Sequence, residues 1–265
     1  MIFVTGDTHG DFSRFRSNIF TEQRMLTKDD YVIICGDFGI WDNSKTENHW
    51  LDWLADRTFT TLFVTGNHSN YDLLSKLPVT EWNGGKVQFI RESVIHLMRA
   101  QIYNISGKSF FTMGGASSHD IDDGILEPDQ PDFQKRIKQF DKQRAMYRIN
   151  HISWWKEELP NDYEYEEALK NLDNHKWKVD YIISHCSPSS IMDLLGYGHY
   201  SYDRLTDFFE TIKERCEFEY WFFGHYHDNR IFMNKYILLY KQIVRIDSSK
   251  ISSIYPSEYE QNDYL

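Results

Sequence analysis

The sequence feature that most restricts the fold is a short apolar segment that ends abruptly in Asp, Asn or His, and it occurs five times. The segments and the residues that follow them are 2–5 with Gly6-Asp7-Thr8-His9, 31–35 with Gly36-Asp37, 61–65 with Gly66-Asn67-His68, 181–183 with Ser184-His185, and 220–223 with Gly224-His225-Tyr226-His227. Segments that are apolar without alternation are typical of strands buried on both faces, so the pattern predicts a sheet covered by helices.

The first three of these strands are separated by two segments, 12–22 and 46–56, that carry apolar residues at helical spacing. This order predicts β-α-β connections. In open sheets of this kind, ligands bind beyond the carboxyl ends of the strands, and all five polar motifs follow at those ends. Glycine precedes four of the motifs, and its freedom to form tight turns favours convergence of their side chains. We therefore expect one shared site.

The rest of the chain has weaker patterns, which predict the following elements. Short strands in an antiparallel meander are expected at 87–90, 94–97, 102–105 and 110–113. Two further helices and three further strands are expected at 132–148, 164–174, 231–232, 236–240 and 243–246. A polar tail from Ser248 is expected to be a solvated surface segment. No linker composition divides the chain, so we predict a single domain over 1–265 with a helical cap inserted around 117–160.

Charge and composition exclude several classes of protein. The 29 basic and 40 acidic side chains leave a formal charge of −11. Such a surface repels polyanions, so a long nucleic acid is a disfavoured partner unless a local cationic site overrides the repulsion. The N-terminus lacks the pattern of a secretion signal, and the apolar runs are far shorter than the ~20 residues of a membrane helix. With only three widely spaced cysteines, a cytoplasmic location in a reducing compartment is predicted.

The polar residues at the strand ends are of the types that bind divalent transition metals. They are Asp7, His9, Asp37, Asn67, His68, His185, His225 and His227. A single Asp-x-His or His-x-His pair is weak support, because such pairs are common in solvated loops, but five motifs at strand ends are hard to produce by chance. Imidazole, carboxylate and amide ligands suit Mn²⁺, Fe²⁺, Zn²⁺ or Ni²⁺. There are enough ligands for two ions, and two ions ~3.5–4 Å apart can clamp a phosphoryl group while activating water.

The ordered motifs, from Asp7-x-His9 to Gly224-His225-x-His227, resemble the calcineurin-like metallophosphoesterase superfamily over residues 7–227. The resemblance implies an α/β fold, a four-layer αββα sandwich that holds a dinuclear metal centre. It implies that one ion is bound by Asp7, His9 and His227, that the other is bound by Asn67, His185 and His225, and that Asp37 bridges them. It also implies that His68 is catalytic: it would not bind metal but would lie beside the scissile phosphate, where it needs a pKa that allows proton donation near pH 7.

Two positions depart from the family pattern. Many phosphatases of the superfamily have an Asp three residues after the bridging Asp, whereas this chain has Ile40 there. Many members have an acidic residue directly after the Asn-His pair that orients the histidine, whereas this chain has Ser69, and Asp72 is a nearby candidate to replace it. Two further segments, 114–120 and 153–158, resemble segments of uncharacterised bacterial and phage-borne members of the superfamily. That resemblance identifies no substrate.

Three residues outside the motifs are candidates for substrate binding. His119 follows the apolar strand 110–113 and either reaches the rim of the site or forms a turn. Arg144 and Arg148 belong to the basic segment predicted as a helix at 132–148. If that helix overhangs the metals, its arginines can bind a nonbridging phosphate oxygen. The alternative is a solvated helix face.

These observations predict a metal-dependent phosphoesterase that uses two divalent ions, most simply Mn²⁺, with Fe, Zn or Ni as alternatives. The expected substrate is a phosphomonoester or small phosphodiester, such as a nucleotide. A nuclease or a cyclic-nucleotide phosphodiesterase is the alternative enzyme, because the same two-metal clamp serves both ester types. A metal-binding scaffold without activity is the alternative outside the enzymes. The sequence predicts no membrane partner and does not determine the oligomeric state.

Overall fold

The computed structural model describes residues 1–39, 42–196, 198, 200–247 and 250–255. Its strands are β1 (Ile2–Thr5), β2 (Tyr31–Ile34), β3 (Thr60–Phe63), β4 (Val79–Trp82), β5 (Gly85–Arg91), β6 (Val94–Leu97), β7 (Gln101–Ile105), β8 (Lys108–Met113), β9 (Gly124–Leu126), β10 (Tyr147–Ile149), β11 (Tyr181–Ser184), β12 (Tyr220–Phe223), β13 (Arg230–Phe232), β14 (Tyr236–Leu238), β15 (Ile243–Asp247) and β16 (Lys250–Tyr255). Its helices are α1 (Lys45–Ala55), α2 (Tyr71–Leu74), α3 (Phe133–Gln143), α4 (Asp162–Asn174), α5 (Ser189–Leu195) and α6 (Arg204–Arg215). Short 3₁₀ helices lie at Ser13–Phe15, Thr21–Met25 and Lys156–Glu158.

The strands form two large mixed sheets. The first has the order β16-β15-β1-β2-β3-β6-β5-β4, and the second has the order β13-β14-β12-β11-β8-β7. The middle of each sheet is parallel, with β1, β2, β3 and β6 running together in the first and β8, β11, β12 and β14 in the second. Strands β9 and β10 form a separate parallel pair. The parallel strands carry the sequence motifs, so the motifs lie at matching ends of the two sheets.

The two sheets pack face to face through alternate residues of their strands. Val4, Ile33 and Leu62 of the first sheet share a buried core with Ile183 and Phe222 of the second. Burial of this apolar surface, at roughly 25 cal/mol per Å² removed from water, is the main stabilising contribution of the layer.

The intervening residues face outward and are covered by helices. In the first sheet, Phe3 and Val32 pack with Leu54 of α1. In the second, Ile182 and Trp221 belong to the core that also includes residues of α4, α5 and α6. Both faces of the strands are therefore buried, as their unbroken apolar character predicts. The four-layer αββα sandwich is confirmed.

Local signals explain where the two correctly predicted helices begin. Helix α1 follows Ser44, whose Oγ accepts a hydrogen bond from the Glu47 backbone N–H at 3.1 Å. Helix α4 follows Asn161, which forms a capping box with Glu164. These helices confirm the predictions at 46–56 and 164–174 to within a few residues.

The helix predicted at 12–22 is wrong. The segment forms short 3₁₀ turns instead, although Phe12, Phe15 and Phe20 are buried as a helix would bury them. The Gln23 side-chain amide donates to the carbonyl oxygens of Phe15 and Phe20 at 2.7 and 2.8 Å, so a side chain takes the acceptors that a regular helix would pair with its own backbone.

The predicted meander requires correction, and the tail contains a strand. Strands β5 and β6 belong to the first sheet, whereas β7 and β8 belong to the second, so the four strands are two hairpins in different layers. Of the tail, residues 250–255 form strand β16, which pairs with β15 at the edge of the first sheet. Residues 248–249 and 256–265 lie outside the described residues.

The segment 117–160 contains β9, α3, β10 and a 3₁₀ helix, and α3 has no buried residue. The prediction at 132–148 was therefore too long, because the helix ends at Gln143 and β10 follows. The single domain over 1–265 and the cap function of this segment stay predictions. In the part of the chain that the structure describes, no helix combines the length and apolar character needed to cross a membrane.

Candidate metal centre

The predicted ligand residues converge where the carboxyl ends of the parallel strands of both sheets meet. In the first sheet, Asp7 and His9 follow β1, Asp37 follows β2 and Asn67 follows β3. In the second sheet, His185 follows β11, and His225 and His227 follow β12. The most deeply buried of them are Asp7, Asp37, Asn67, His185 and His225. The structure therefore brings together all seven residues that the resemblance implies as ligands.

The first group of candidate ligands consists of Asp7, His9 and His227. Each offers one ligand atom, and the three atoms lie within 4.8 Å of one another. His227 Nε2 is 3.2 Å from Asp7 Oδ2, and His9 Nε2 is 3.0 Å from His227 Nε2. This is the set that the resemblance implies for the first ion.

A second group consists of Asp7, Asp37 and His185, again within 4.8 Å of one another. His185 Nε2 lies 3.3 Å from Asp37 Oδ2 and 3.2 Å from Asn67 Oδ1. The ring of His225 is adjacent, with its centroid 5.0 Å from that of His185. His185, Asn67 and His225 are thus neighbours, as the implied second set requires.

Asp7 is common to both groups, and Asp37 belongs to the second group and also lies close to His9 of the first. His9 Nε2 is 3.8 Å from Asp37 Oδ2, and His185 Nε2 is 3.3 Å from the same oxygen. Two buried carboxylates surrounded by imidazoles and an amide oxygen form a donor set that suits divalent transition metals. The residues present therefore fit one divalent ion at each group, with Asp37 placed where a bridging ligand would be needed.

The backbone at the site adopts an uncommon conformation. His9, Asp37, His225 and His227 have φ values of 46°, 41°, 72° and 51°, in the left-handed region that non-glycine residues seldom adopt. Such strain is kept only where the surrounding structure enforces it, and it is concentrated at functional sites. Here it turns four candidate ligands towards the centre.

The glycines before the motifs have a role that the sequence did not indicate. A Cβ on Gly66 would lie 2.1 Å from Asp37 Oδ1, and one on Gly224 would lie 2.0 Å from Asp7 Oδ1. Neither glycine has a left-handed φ, whereas Gly36 has a φ of 100° and also lies against the His185 ring. Glycine is required at positions 66 and 224 because a side chain there would clash with the carboxylates of Asp37 and Asp7. The freedom to form a tight turn, which we predicted as the reason, does not apply to these two glycines.

The buried charges at the site are strongly coupled. Burial alone would lower the pKa of His185, but the carboxylates of Asp37 and Asp7 raise it to about 9. Burial opposes ionisation of Asp37, yet His185 and the neighbouring histidines hold the pKa of that carboxyl well below its usual range. The centre is therefore built to hold positive charge beside two carboxylates.

The remaining histidines of the site differ in their tendency to bind a proton. Burial lowers the pKa of His9 and of His225, which favours the neutral imidazole that binds metal. The hydrogen bond to Asp7 raises the pKa of His227, which is half exposed. Two of the three imidazoles are thus available as neutral ligands without further change.

His68 lies at the edge of the ligand cluster. Its backbone N–H donates to Asp37 Oδ1 at 2.9 Å, and its ring centroid is 5.3 Å from that of His9. Burial, reinforced by Arg148, lowers the pKa of His68 to about 4, although Asp37 opposes this shift. The imidazole is therefore neutral near pH 7, and it can donate an N–H hydrogen bond where the resemblance led us to expect a protonated acid.

Arg148 reaches His68 from strand β10 and not, as predicted, from a helix. Its Nη1 and Nη2 lie 3.1 and 3.0 Å from the Nδ1 and Nε2 atoms of His68. The guanidinium is buried and donates to both carboxylate oxygens of Asp120, at 2.6 and 2.8 Å, and to the Ser153 carbonyl at 2.9 Å. This fixes a planar cation beside His68.

Asp72, the candidate to replace the missing acidic residue, contacts Trp155 and His151. The Asp72 carboxylate accepts a hydrogen bond from Trp155 Nε1 at 2.8 Å and lies 2.9 Å from His151 Nδ1. It therefore joins α2 to the 151–155 segment. Ser69 also serves elsewhere, because its Oγ accepts a hydrogen bond from the Gly66 N–H.

The other two candidate substrate-binding residues occupy different positions. His119 is exposed next to His225, with ring centroids 5.8 Å apart, and it lines a cavity of about 140 Å³ together with Tyr200, Tyr202 and Asp122. Arg144 ends helix α3 with an exposed side chain. Among the described residues, the side chain of Arg144 makes no hydrogen bond or ion pair with the site.

Sequence reasoning missed several residues that support the ligands. Arg14 donates from Nη2 to the Asp7 carbonyl at 2.5 Å and from Nη1 to the Tyr240 carbonyl at 2.6 Å, and burial lowers its pKa to about 10. Ser118 and Glu158 form a buried pair behind Asn67. Ser118 and Glu158 lie in the segments 114–120 and 153–158, which resemble segments of other superfamily members. That resemblance was the only sequence signal that could have identified them.

A family model described as calcineurin-like phosphoesterase matches residues 1–229, a range that includes every candidate ligand. A comparison with curated proteins finds no match.

Proposed function

We propose, because the chain belongs to the calcineurin-like phosphoesterase family, that it hydrolyses small phosphoesters at a dinuclear metal centre. The family and the Asp/His clusters support the general class of a metal-dependent phosphoesterase. The observation that carries the proposal further is Asp37, a buried carboxylate close to both His9 and His185, with His68 and Arg148 on one side.

The proposed ligands are the two sets that the family resemblance implies. Asp7, His9 and His227 would hold one ion, Asn67, His185 and His225 would hold the other, and Asp37 would contact both. Two bound divalent cations, with Mn²⁺ as our expectation, would act as Lewis acids and lower the pKa of water so that hydrolysis proceeds near neutral pH.

The side chains beside the ligands would bind and orient the phosphoryl group. His68 would donate an N–H to the leaving oxygen, because the hydrogen bond from its backbone N–H to Asp37 and the contacts of its ring with Arg148 fix the ring at the edge of the centre. Arg148 would bind a nonbridging oxygen, since Asp120 holds its planar guanidinium in one orientation. Arg144 stays a weaker candidate for the same role.

The size and charge of the surroundings favour a small substrate. The cavity of about 140 Å³ beside His225, which His119 also lines, is large enough only for a small organic group. Two divalent ions would contribute four positive charges beside Asp7 and Asp37, so the substrate would meet a cationic pocket in a protein whose formal charge is −11. A nucleotide or other small phosphoester fits this description better than a long nucleic acid.

The three cysteines, which are buried and free, are compatible with the proposed cytoplasmic location.

The test is a substrate panel with the wild-type protein and two variants, Asp37→Asn and His68→Ala, each loaded with Mn²⁺, Ni²⁺ or Mg²⁺ and compared with chelated protein. Aryl phosphate, bis-aryl phosphate, and cyclic and linear nucleotides separate monoester from diester activity. Loss of His68 should reduce the rate by about 10²- to 10³-fold, the usual cost of removing one hydrogen-bond donor that stabilises developing charge.

Three outcomes would change the proposal. Preferred cleavage of cyclic nucleotides or oligonucleotides would favour the phosphodiesterase or nuclease alternative. Binding of two metal ions without hydrolysis of any substrate would favour an inactive scaffold. Equal rates for the wild type and both variants would contradict the assigned roles of Asp37 and His68.

A further inference from the structure

The Asn67 side chain is the one proposed ligand whose two ends differ in chemistry. Its amide has an oxygen that can bind a cation and an NH₂ group that cannot, and a half-turn exchanges them. Asn67 is buried, so water cannot correct a wrong orientation. We propose that Ser118 and Glu158 are positioning residues that select the orientation of Asn67 in which Oδ1 faces the metal centre. This inference rests on the proposed dinuclear site.

The two ends of the amide meet different groups. Asn67 Oδ1 lies 3.2 Å from His185 Nε2, on the side of the ligand cluster. Asn67 Nδ2 lies 3.4 Å from Ser118 Oγ, on the opposite side. The assignment of oxygen and nitrogen therefore depends on whether Ser118 Oγ accepts or donates towards Asn67.

Glu158 determines the direction of the Ser118 hydroxyl. Ser118 Oγ donates to Glu158 Oε2 at 2.6 Å, and the Ser118 backbone N–H donates to Glu158 Oε1 at 2.9 Å. An ionised carboxylate only accepts hydrogen bonds, so the single proton of the hydroxyl is directed to Glu158. The oxygen of Ser118 is then left as an acceptor, and it selects Nδ2 of Asn67.

A buried arginine fixes both ends of this relay. Arg99 Nη2 donates to the backbone carbonyl oxygens of Glu157 and Glu158 at 2.8 and 3.0 Å. The same nitrogen contacts the Tyr71 hydroxyl at 2.6 Å, and Tyr71 donates to the Gly66 carbonyl at 2.9 Å. The residue before Asn67 and the residue that orients Ser118 are thus held by one guanidinium.

A purely structural role for Glu158 makes a different prediction from a positioning role. Glu158→Gln preserves the shape and still offers an oxygen to the Ser118 N–H. Its new NH₂ group, however, would donate to Ser118 Oγ and force the hydroxyl proton towards Asn67. Asn67 would then present Oδ1 to Ser118 and Nδ2 to the metal centre, where nitrogen cannot serve as a ligand. The substitution inverts polarity without removing a contact.

The experiment measures Mn²⁺ binding by isothermal titration calorimetry and the EPR spectrum of the loaded full-length protein, with thermal unfolding as the check of folding. Wild-type protein should bind two ions. Glu158→Gln and Ser118→Ala should each weaken one site by about 10- to 100-fold, the usual effect of losing a group that orients a ligand, and should lose the spectrum of a coupled pair. Ser118→Thr keeps the hydroxyl and should retain both.

The matched control is Glu127→Gln, the same substitution at a half-buried glutamate that contacts Asn150. It should leave both Mn²⁺ affinities unchanged. If folded Glu158→Gln binds two ions with wild-type affinity, the positioning role is refuted and the dinuclear site stands. If the wild-type protein binds fewer than two ions, the proposed dinuclear function fails and the inference fails with it.

Discussion

Gly66→Ala is the substitution whose effect on the proposed centre follows most directly from the geometry. A Cβ at this position would lie 2.1 Å from Asp37 Oδ1 and 2.6 Å from His185 Nε2, whereas ordinary contact begins at 3.4 Å. Asp37 would therefore have to move by about 1.3 Å. Since a misplacement of ~1 Å can reduce catalysis about 100-fold, we expect at least that loss in phosphoester hydrolysis, together with weaker Mn²⁺ binding.

The control for this prediction is Gly107→Ala, in the turn between β7 and β8. Gly107 has a φ of 79°, and a Cβ there meets no described atom within 4 Å. The substitution should cost about 1–2 kcal/mol of stability through backbone strain while leaving metal binding and hydrolysis unchanged. Urea unfolding, Mn²⁺ titration and aryl phosphate hydrolysis of both variants separate the two effects. Wild-type hydrolysis and Mn²⁺ affinity in Gly66→Ala would refute the steric argument.

Two further predictions concern pH and substrate binding. Burial, reinforced by Arg99, lowers the pKa of His96 to about 3, so its folded pKa lies below the unfolded value of about 6.5 and its contribution to stability is lost as pH falls. At about 1.36 kcal/mol per pH unit, His96 should lower the free energy of unfolding of the wild type by about 2 kcal/mol at pH 5. Urea unfolding at pH 7.5 and 5 should show a smaller decrease for His96→Gln than for the wild type. An equal decrease in the two proteins would contradict the lowered pKa of His96. Arg148→Met should lower kcat/KM by about 10- to 150-fold, the equivalent of the 1.5–3 kcal/mol of a hydrogen bond to a charged group, whereas Arg24→Met, at an exposed site, should leave it unchanged. Equal values for both variants would exclude a role for Arg148 in binding phosphate.

The strands and the identity of the candidate ligands could be read from the sequence because both are local properties. An unbroken apolar run such as 31–35 indicates a strand covered on both faces, and its polar successor, Asp37, must lie at the strand end whatever the rest of the chain does. Parallel strands place such ends along one edge. Convergence of the motifs within each sheet therefore followed from strand direction, whereas packing of the two sheets brought the two sets of motifs together.

The failures have a common cause, which is that a partner outside the segment decided the local structure. The 12–22 segment has helical spacing, yet the amide of Gln23 takes two of its carbonyl groups. The hairpins β5–β6 and β7–β8 look alike in sequence, but pairing with β3 or β11 assigns them to different sheets. Neither partner can be identified from the periodicity of the segment itself.

The sequence by itself determined which residue types lie at which strand ends, because the apolar composition of a segment indicates that it is a buried strand. Tertiary structure alone decided how these residues are held. The left-handed backbone of His9 and Asp37, the contact of Arg148 with His68 and the contact of Asn67 with Ser118 depend on atoms far apart in the chain. Hydrogen bonds and steric contacts act over a few ångströms in space. Residues far apart in the sequence come within that distance only when the two sheets have packed.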